Sequence, residues 1–181
     1  MNRQLFINIV DDLIGEDNTR VAEYRKIDKS TPSCMAGIQW LLREKCHLTD
    51  IGLPDTNSCT FLYNSVWAYP KINHSYETAE TGDLILFQNF DDIPNDADHI
   101  AIVVENDKAH KMLKLLNMNG SQCNRWSYEY YSHNYENYLC IIDMSNYFTD
   151  DVKENLSDSV EKLKNLLTEF ESVVKEIEKY K

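Results

Sequence analysis

The hydrophobic pattern of this chain changes from helical to strand type at Gly82, and the change limits the folds that the chain can adopt. Before Gly82, apolar residues recur at helical spacing, most clearly at 33–44 and less clearly at 3–14, 18–26 and 56–68. After it, the apolar residues form short runs of strand type, at 84–87, 99–104, 111–116 and 138–142. Helices that precede a group of short strands predict an α+β domain, in which N-terminal helices pack on an antiparallel sheet.

The C-terminal segment has a different pattern from the rest. Residues 151–181 contain neither Gly nor Pro, and their apolar residues follow alternating steps of four and three: Leu156, Val160, Leu163, Leu167, Phe170, Val174 and Ile177. Such a heptad pattern predicts one long helix. We therefore expect a globular domain at 1–148 and a heptad helix at 149–181. The apolar stripe of this helix serves either to form a homo-oligomer or bind a partner helix, or to pack on the globular part.

Composition and charge narrow the class of protein. Hydrophobic residues make up 43% of the 181 residues, which is enough for a buried core. Acidic residues outnumber basic ones by 30 to 18, and the net charge of −12 argues against a nucleic acid partner. No apolar run is long enough to span a membrane. The run at 5–10 is cut short by Asp11 and Asp12 without a cleavage site, so we expect cytoplasmic synthesis without a signal peptide.

Cys34 is the cysteine whose placement suggests chemistry. The chain has five cysteines with no CxxC spacing, so reduced thiols are expected, and four read as structural: Cys46, Cys59, Cys123 and Cys140. Cys34 instead stands in the first turn of the predicted helix at 33–44. Unpaired N–H groups and the positive end of the helix dipole stabilise a thiolate at such a position.

Two further residues complete a possible nucleophile and base arrangement. His99 begins a predicted strand, and Asn117 ends the next one along the chain. A thiol and an imidazole brought together across a helix–sheet junction form a nucleophile–base pair. The imidazole then needs a third group to fix its tautomer, and Asn117 on the neighbouring strand is placed to reach the ring.

In this order and spacing the sequence resembles a CHAP domain, the cysteine- and histidine-dependent amidohydrolase/peptidase of the NlpC/P60 group. The matching segments are Ser33–Ala36, Thr81–Phe87, Asp98–Val103 and Asn117–Gly120, within a resemblance that runs from about residue 14 to 143. The resemblance implies a papain-like fold, with Cys34 as nucleophile and His99 as general base. The family often has a Glu at the position of Asn117, and Asn119 matches the family's Asn.

Some assignments stay open at this stage. His110 falls where the NlpC/P60 branch keeps a third histidine, so it competes with Asn117. Tyr24 either helps the Cys34 N–H form an oxyanion hole or simply packs in the core. The acidic loop at 91–98 lacks the Asp-x-Asp-x-Asp-Gly order of a calcium loop, so a solvated loop is favoured, and we expect no metal and no cofactor.

The resemblance implies a peptidoglycan hydrolase that cuts an amide bond, either muramoyl–L-alanine or a peptide bond. Without a signal peptide, such an enzyme is expected to be a phage lysin or a virion-associated lytic protein that acts on the bacterial cell wall after release. Two other interpretations remain. The chain is a coiled-coil interaction protein with a CHAP-like fold, or it is a cysteine amidase or protease on a non-wall substrate.

Overall fold

The helices of this protein come before its strands. The computed structural model describes residues 1–26, 33–65, 75–88, 96–119, 125–150, 160 and 163–168. The helices are α1 (Arg3–Asp11), α2 (Thr19–Arg25), α3 (Cys34–Trp40) and α4 (Cys59–Tyr63). α3 runs on into a π-helical segment (Leu41–Lys45), and a 3₁₀ turn (Tyr76–Thr78) precedes the sheet. The strands are β1 (Leu84–Phe87), β2 (His99–Asp107), β3 (Met112–Asn119), β4 (Arg125–Ser132) and β5 (Tyr138–Ile142).

The strands form one antiparallel sheet in the order β4-β3-β2-β1-β5. The predicted α+β architecture with an antiparallel sheet is therefore confirmed. β1 and β5 match their predicted ranges, whereas β2 and β3 extend further along the chain than their apolar runs.

β4 is a strand that the sequence did not predict. Its sequence, RWSYEYYS, shows no regular exchange of apolar and polar residues, and most of its side chains are only partly buried. β4 lies at an edge of the sheet and pairs along its whole length with β3. Its Trp and Tyr residues favour extended structure, and this propensity was the available clue.

Alternation along the strands gives the sheet two different faces. One face packs against the helices and belongs to a large core that includes Met35, Ile38, Ile100 and Met118. The other face is covered by aromatic side chains, and its buried members are Tyr76, Ala79, Ile85, Phe87, Ala101, Val103, Leu113, Leu115 and Ile141. Because side chains alternate between faces, a polar residue in β2, β3 or β4 belongs to one of these two environments.

α3 lies close to the strands because it carries a glycine where it crosses β3. A methyl group on Gly37 would overlap the Met118 sulfur and would come within 3.3 Å of Trp126. Met118 and Trp126 are almost completely buried, so neither has room to move away. This contact fixes α3 on β3 and therefore fixes the position of Cys34 at the start of α3.

Gly82 and Asp83 join three parts of the chain immediately before β1. Gly82 has a φ of +100°, and its N–H donates to the Val103 carbonyl at 2.8 Å. The buried Asp83 carboxylate accepts hydrogen bonds from the N–H groups of Glu80 and Met144, each at 2.8 Å. Burial raises the pKa of Asp83, while these two hydrogen bonds act in the opposite direction. The pair thus anchors β1 to β2 and to the segment that follows β5.

The first and last residues of the globular part are hydrogen-bonded to each other. The Met1 ammonium donates to the Tyr147 carbonyl at 2.8 Å, and the Thr149 N–H donates to the Met1 carbonyl at 2.9 Å. The Arg3 N–H donates to the Thr149 carbonyl at 3.0 Å. The beginning of α1 and the segment after β5 therefore lie side by side.

Contacts group Met1 and residues 3–149 into one compact unit, and Asn2 and residues 150–181 into another. In the second unit, residues 163–168 are helical and their leucines are exposed. Most of the predicted heptad helix lies outside the described residues, so the domain division and the coiled coil stay predictions. Among the described residues, no helix has the length and hydropathy needed to cross a membrane.

Candidate active site

Cys34 is the first residue of α3, and a serine cap sets the start of this helix. Ser33 has an extended backbone, and its hydroxyl accepts a hydrogen bond from the Ala36 N–H at 3.1 Å. This side-chain cap satisfies one of the N–H groups that a helix leaves unpaired at its start. The Cys34 side chain is 6% exposed, so it lies just below the surface.

A second cysteine lies beside Cys34. The Sγ atoms of Cys34 and Cys59 are 3.7 Å apart, and both residues are buried. Cys59 begins α4, which Ser58 caps by accepting from the Phe61 N–H at 3.0 Å. The interpretation of Cys59 as a purely structural residue therefore missed its contact with the proposed nucleophile.

α4 also connects the surroundings of Cys34 with the segment that leads to His99. The residue after Cys59 is Thr60, and its hydroxyl donates to the Ala97 carbonyl at 3.0 Å. Ala97 lies two residues before His99 and belongs to the same buried core as Cys34. Through α4, the start of α3 and the start of β2 are therefore held in one region of the protein.

His99 is the first residue of β2 and is 7% exposed. It pairs across the sheet with Phe87 of β1, and the two rings stack with centroids 5.9 Å apart. Burial lowers the pKa of His99 below its ordinary value of 6.5, and the negative charges of Glu129 and Asp98 act in the opposite direction. The imidazole is therefore neutral at neutral pH and able to accept a proton.

Asn117 lies on the same face of the sheet as His99. Val103 and Leu115 are direct partners between β2 and β3, so the residues an even number of positions from each share one face. Leu115 is likewise the partner of Glu129 in β4, which places Glu129 on that face as well. β2, β3 and β4 thus each contribute one polar side chain to the same side of the sheet.

Glu129 and Asn117 are in direct contact. The Asn117 side-chain Nδ2 donates to Glu129 Oε2 at 3.0 Å, and the Tyr131 hydroxyl donates to the same oxygen at 2.7 Å. Asn117 is fully buried, and its Oδ1 has no hydrogen-bond partner among the described residues. The Tyr131 hydrogen bond and burial hold the pKa of Tyr131 above its ordinary value.

The structure brings some of the predicted site residues together. His99 and Asn117 share the aromatic face of the sheet, whereas α3, which begins at Cys34, packs on the opposite face of the same two strands, the face of Ile100 and Met118. The contact between the Cys34 thiol and the His99 ring stays a prediction. Asn119 ends β3, opposite Arg125 of β4.

The alternative assignments have other surroundings. His110 lies in the turn between β2 and β3, at the opposite end of β3 from Asn117. It is largely exposed, and its Nδ1 is 2.6 Å from the Asp107 carboxylate. His110 is therefore not a third member of a site with His99. Tyr24 is half-buried against the helix-side core, which agrees with its packing interpretation.

The predicted loop at 91–98 is described only from Asp96 onward. Within the described residues, no group of three or more His, Cys, Asp or Glu side chains is arranged to hold a metal ion.

Sequence reasoning missed Glu129, Tyr131 and Cys59. The first two lie on the unpredicted strand β4, where Glu129 is the single acidic residue among aromatic ones. The only sequence feature that distinguishes Glu129 is that it is a lone carboxylate in a tyrosine-rich segment. Nothing in the sequence pairs Cys59 with Cys34, because the pairing depends on how α3 and α4 pack.

Comparison with known proteins reveals a relationship of fold. No protein-family model matches this chain, and neither does any curated protein. The crystal structure of Ly7917 with the hydrolyzing product of MDP superposes with a TM-score of 0.51 at 16% sequence identity, over 77% of this chain and 62% of the Ly7917 chain. A second crystal structure of Ly7917 superposes with a TM-score of 0.50 at 15% identity, over 78% and 61%.

The protein is therefore an α+β protein with the fold of the matching part of Ly7917. This chain spans about three fifths of the length of Ly7917, and identity at this level shows the fold alone.

Proposed function

We propose that this protein is a peptidoglycan hydrolase that cuts an amide bond, with Cys34 as nucleophile and His99 as base in a papain-like, CHAP-type site. The observation that carries the proposal is the link through α4: the Cys34 Sγ lies 3.7 Å from the Cys59 Sγ, and the neighbouring Thr60 hydroxyl donates to the carbonyl of Ala97, two residues before His99. The fold shared with Ly7917 supports the substrate class, because one Ly7917 structure was determined with the hydrolyzing product of MDP, a peptidoglycan fragment.

The proposed reaction has two stages. His99 takes the proton of the Cys34 thiol, and the thiolate attacks the carbonyl carbon of the amide. Backbone N–H groups at the start of α3 stabilise the oxyanion that forms. The His99 imidazolium then gives its proton to the leaving amine, the carbon–nitrogen bond breaks, and a thioester remains on Cys34. Water, deprotonated by His99, hydrolyses the thioester and regenerates the thiol.

The environment of His99 suits both stages. Burial lowers the pKa of His99, which keeps the ring neutral before the attack, while Glu129 and Asp98 favour the charged form. The neutral ring can take the thiol proton, and the two carboxylates stabilise the imidazolium that then forms. In the proposed biological setting, the protein is made in the cytoplasm and acts on the cell wall as a phage lysin or virion-associated lytic protein. Residues 149–181 then serve oligomerisation or partner docking.

Digestion of purified peptidoglycans from several cell-wall chemotypes tests this proposal. Mass spectrometry of the products is expected to show new amine and carboxyl ends with wild-type protein, and none with Cys34→Ala. Cys46→Ala is the matched control, because Cys46, like Cys34, is a buried cysteine outside any disulfide, and this variant is expected to leave the products unchanged. Cleavage that persists in Cys34→Ala contradicts the cysteine mechanism. No release from any wall by folded wild-type protein contradicts the substrate class.

Selective alkylation tests the nucleophile without a substrate. Burial raises the pKa of Cys46 and of Cys140 to about 12, so both remain protonated thiols at neutral pH. Only the thiolate reacts with iodoacetamide. At neutral pH we expect iodoacetamide to modify Cys34 before either of the other two, and the modified protein to lose hydrolysis. Equal labelling of the three residues contradicts an activated Cys34.

A further inference from the structure

The face of the sheet that carries His99 holds a carboxylate to which the proposed reaction assigns no role. Glu129 is half-buried in β4, and its Oε2 accepts hydrogen bonds from Asn117 Nδ2 at 3.0 Å and from the Tyr131 hydroxyl at 2.7 Å. Two donors from two strands therefore fix one oxygen of this carboxylate. Such a well-held carboxylate is suited to orient its neighbours.

Glu129 determines which way the Asn117 amide points. An ionised carboxylate only accepts hydrogen bonds, so the amide must present its NH₂ group to Glu129. The amide oxygen, Oδ1, then points away from Glu129. Asn117 Oδ1 is completely buried and has no hydrogen-bond partner among the described residues, although a buried carbonyl of this kind normally has a donor.

We propose that Glu129 is a positioning residue that turns the Asn117 amide so that Oδ1 can accept a hydrogen bond from a ring N–H of His99. That bond is not formed in this structure, where the His99 ring stacks on Phe87, and it forms when the imidazole rotates. The catalytic consequence rests on the proposed function. The hydrogen bond holds the imidazole in one tautomer and leaves its other nitrogen available to the Cys34 thiol. The carboxylate that CHAP domains often carry at the position of Asn117 is thus supplied from the next strand, one residue further from the imidazole.

The charges around His99 agree with this role. Glu129 reaches His99 from β4, and its charge favours the imidazolium. Asp98, the residue before His99, acts in the same direction. The Phe87 ring that stacks on His99, and the Tyr131 ring that stacks on Phe87, are uncharged at neutral pH. Glu129 therefore acts on His99 in two ways, by charge directly and by orientation through Asn117.

Nitrogen-15 NMR of His99 tests the proposal without turnover. In a Cys34→Ala background, the ring shifts report both the tautomer and the pKa of His99. Glu129→Gln keeps the shape of the side chain and removes its charge, so we expect a lower His99 pKa and a mixture of tautomers. Glu136→Gln, a change at an exposed residue in the β4–β5 turn, is the matched control and is expected to leave His99 unchanged. Unchanged tautomer and pKa in folded Glu129→Gln overturn the proposal.

Asp98→Asn and Glu129→Asp separate charge from orientation. Asp98→Asn is expected to lower the His99 pKa while the single tautomer persists, because Asn117 is still held. Glu129→Asp keeps the charge and is expected to restore much of the His99 pKa. It also provides the test should Glu129→Gln fail to fold. Loss of the single tautomer in Asp98→Asn to the same extent as in Glu129→Gln overturns the positioning role.

Kinetics on peptidoglycan completes the test. Glu129→Gln removes a charge-assisted hydrogen bond from the Glu129–Asn117–His99 series that orients the base. We expect this loss to lower kcat about tenfold or more. In an Asn117→Ala background, Glu129→Gln is expected to lower kcat by clearly less than in the wild type, because only its direct charge effect on His99 remains. A full multiplicative loss in the double variant contradicts this route. If wild-type protein hydrolyses no wall but Glu129→Gln still changes the His99 tautomer, the substrate assignment fails and the positioning role stands.

Discussion

Replacing Gly82 with alanine tests the anchor in front of β1, and the structure allows its cost to be estimated. The φ of Gly82 is +100°, a conformation that costs a residue with a side chain about 1–2 kcal/mol. The new methyl carbon would also lie 2.5 to 2.8 Å from atoms of the Phe148 ring. Phe148 is 1% exposed, so the ring has to move within a packed core, at about 1–3 kcal/mol. We expect Gly82→Ala to lower the free energy of unfolding by roughly 2–5 kcal/mol.

Gly15→Ala is a matched control within the same chain. Gly15 has a φ of +84°, and a methyl group there would meet nothing within 4 Å. Its substitution therefore measures the backbone part of the cost alone, about 1–2 kcal/mol. Urea denaturation followed by tryptophan fluorescence gives both free energies, with unchanged m-values as the condition for comparing them. The difference between the variants is the contribution of the Phe148 ring.

A double variant provides a further check on the same reasoning. Phe148→Leu removes the ring that the new methyl group would strike, so the costs of Gly82→Ala and Phe148→Leu are expected to combine to less than their sum. Equal free energies for Gly82→Ala and Gly15→Ala, within about 0.5 kcal/mol, would refute the assigned contact with Phe148. A Gly82→Ala variant as stable as wild type would refute the positive φ as well.

Three further predictions follow from described contacts. Asp83→Asn is expected to cost about 1–2 kcal/mol in urea denaturation, because the two N–H groups bond to different carboxylate oxygens and Asn replaces one of these oxygens with an NH₂ donor; a stability equal to wild type contradicts this. The oxidant diamide, which takes up two hydrogens, is expected to join Cys34 and Cys59 in a disulfide and block iodoacetamide labelling of both; peptide mapping that finds each still reduced contradicts it. His99 is expected to titrate by NMR below 6.5, and because the unfolded chain then binds more protons, the free energy of unfolding should fall as the pH decreases through 6.5 toward the folded pKa. This pH dependence should be absent in His99→Gln.

Part of the fold could be predicted because a buried strand appears in the sequence as a short run of apolar residues. β1 is buried along its whole length and β5 over its last three residues, so both read as short apolar runs. β4 is an edge strand whose side chains are mostly half-exposed tyrosines and polar residues, and no apolar run marks it. The start of α3 was predictable for a similar reason, since a serine cap is a local feature of the sequence.

In the candidate site, only the residues that a local sequence pattern marks could be predicted. His99 begins β2 and Asn117 lies in β3, and strand alternation alone accounts for their common face. The contact of Glu129 with Asn117 requires the register between β3 and β4, and the contact of Cys59 with Cys34 requires the packing of two helices. Neither pairing leaves a periodic trace along the chain. The opposing influences of burial and charge on His99 depend on the same tertiary contacts.

The hydrogen bonds between Met1 and the segment at 147–149 hold the two ends of the globular part next to each other. Adjacent ends allow a protein to be circularly permuted or inserted into a loop of another protein with little strain. A short glycine–serine linker between residues 149 and 1, with new ends opened in the exposed turn at 108–110, should leave the sheet order and the face of His99 intact. The new ends of such a permutant would lie at the β2–β3 turn. A cargo or binding module could be attached there, away from the start of α3.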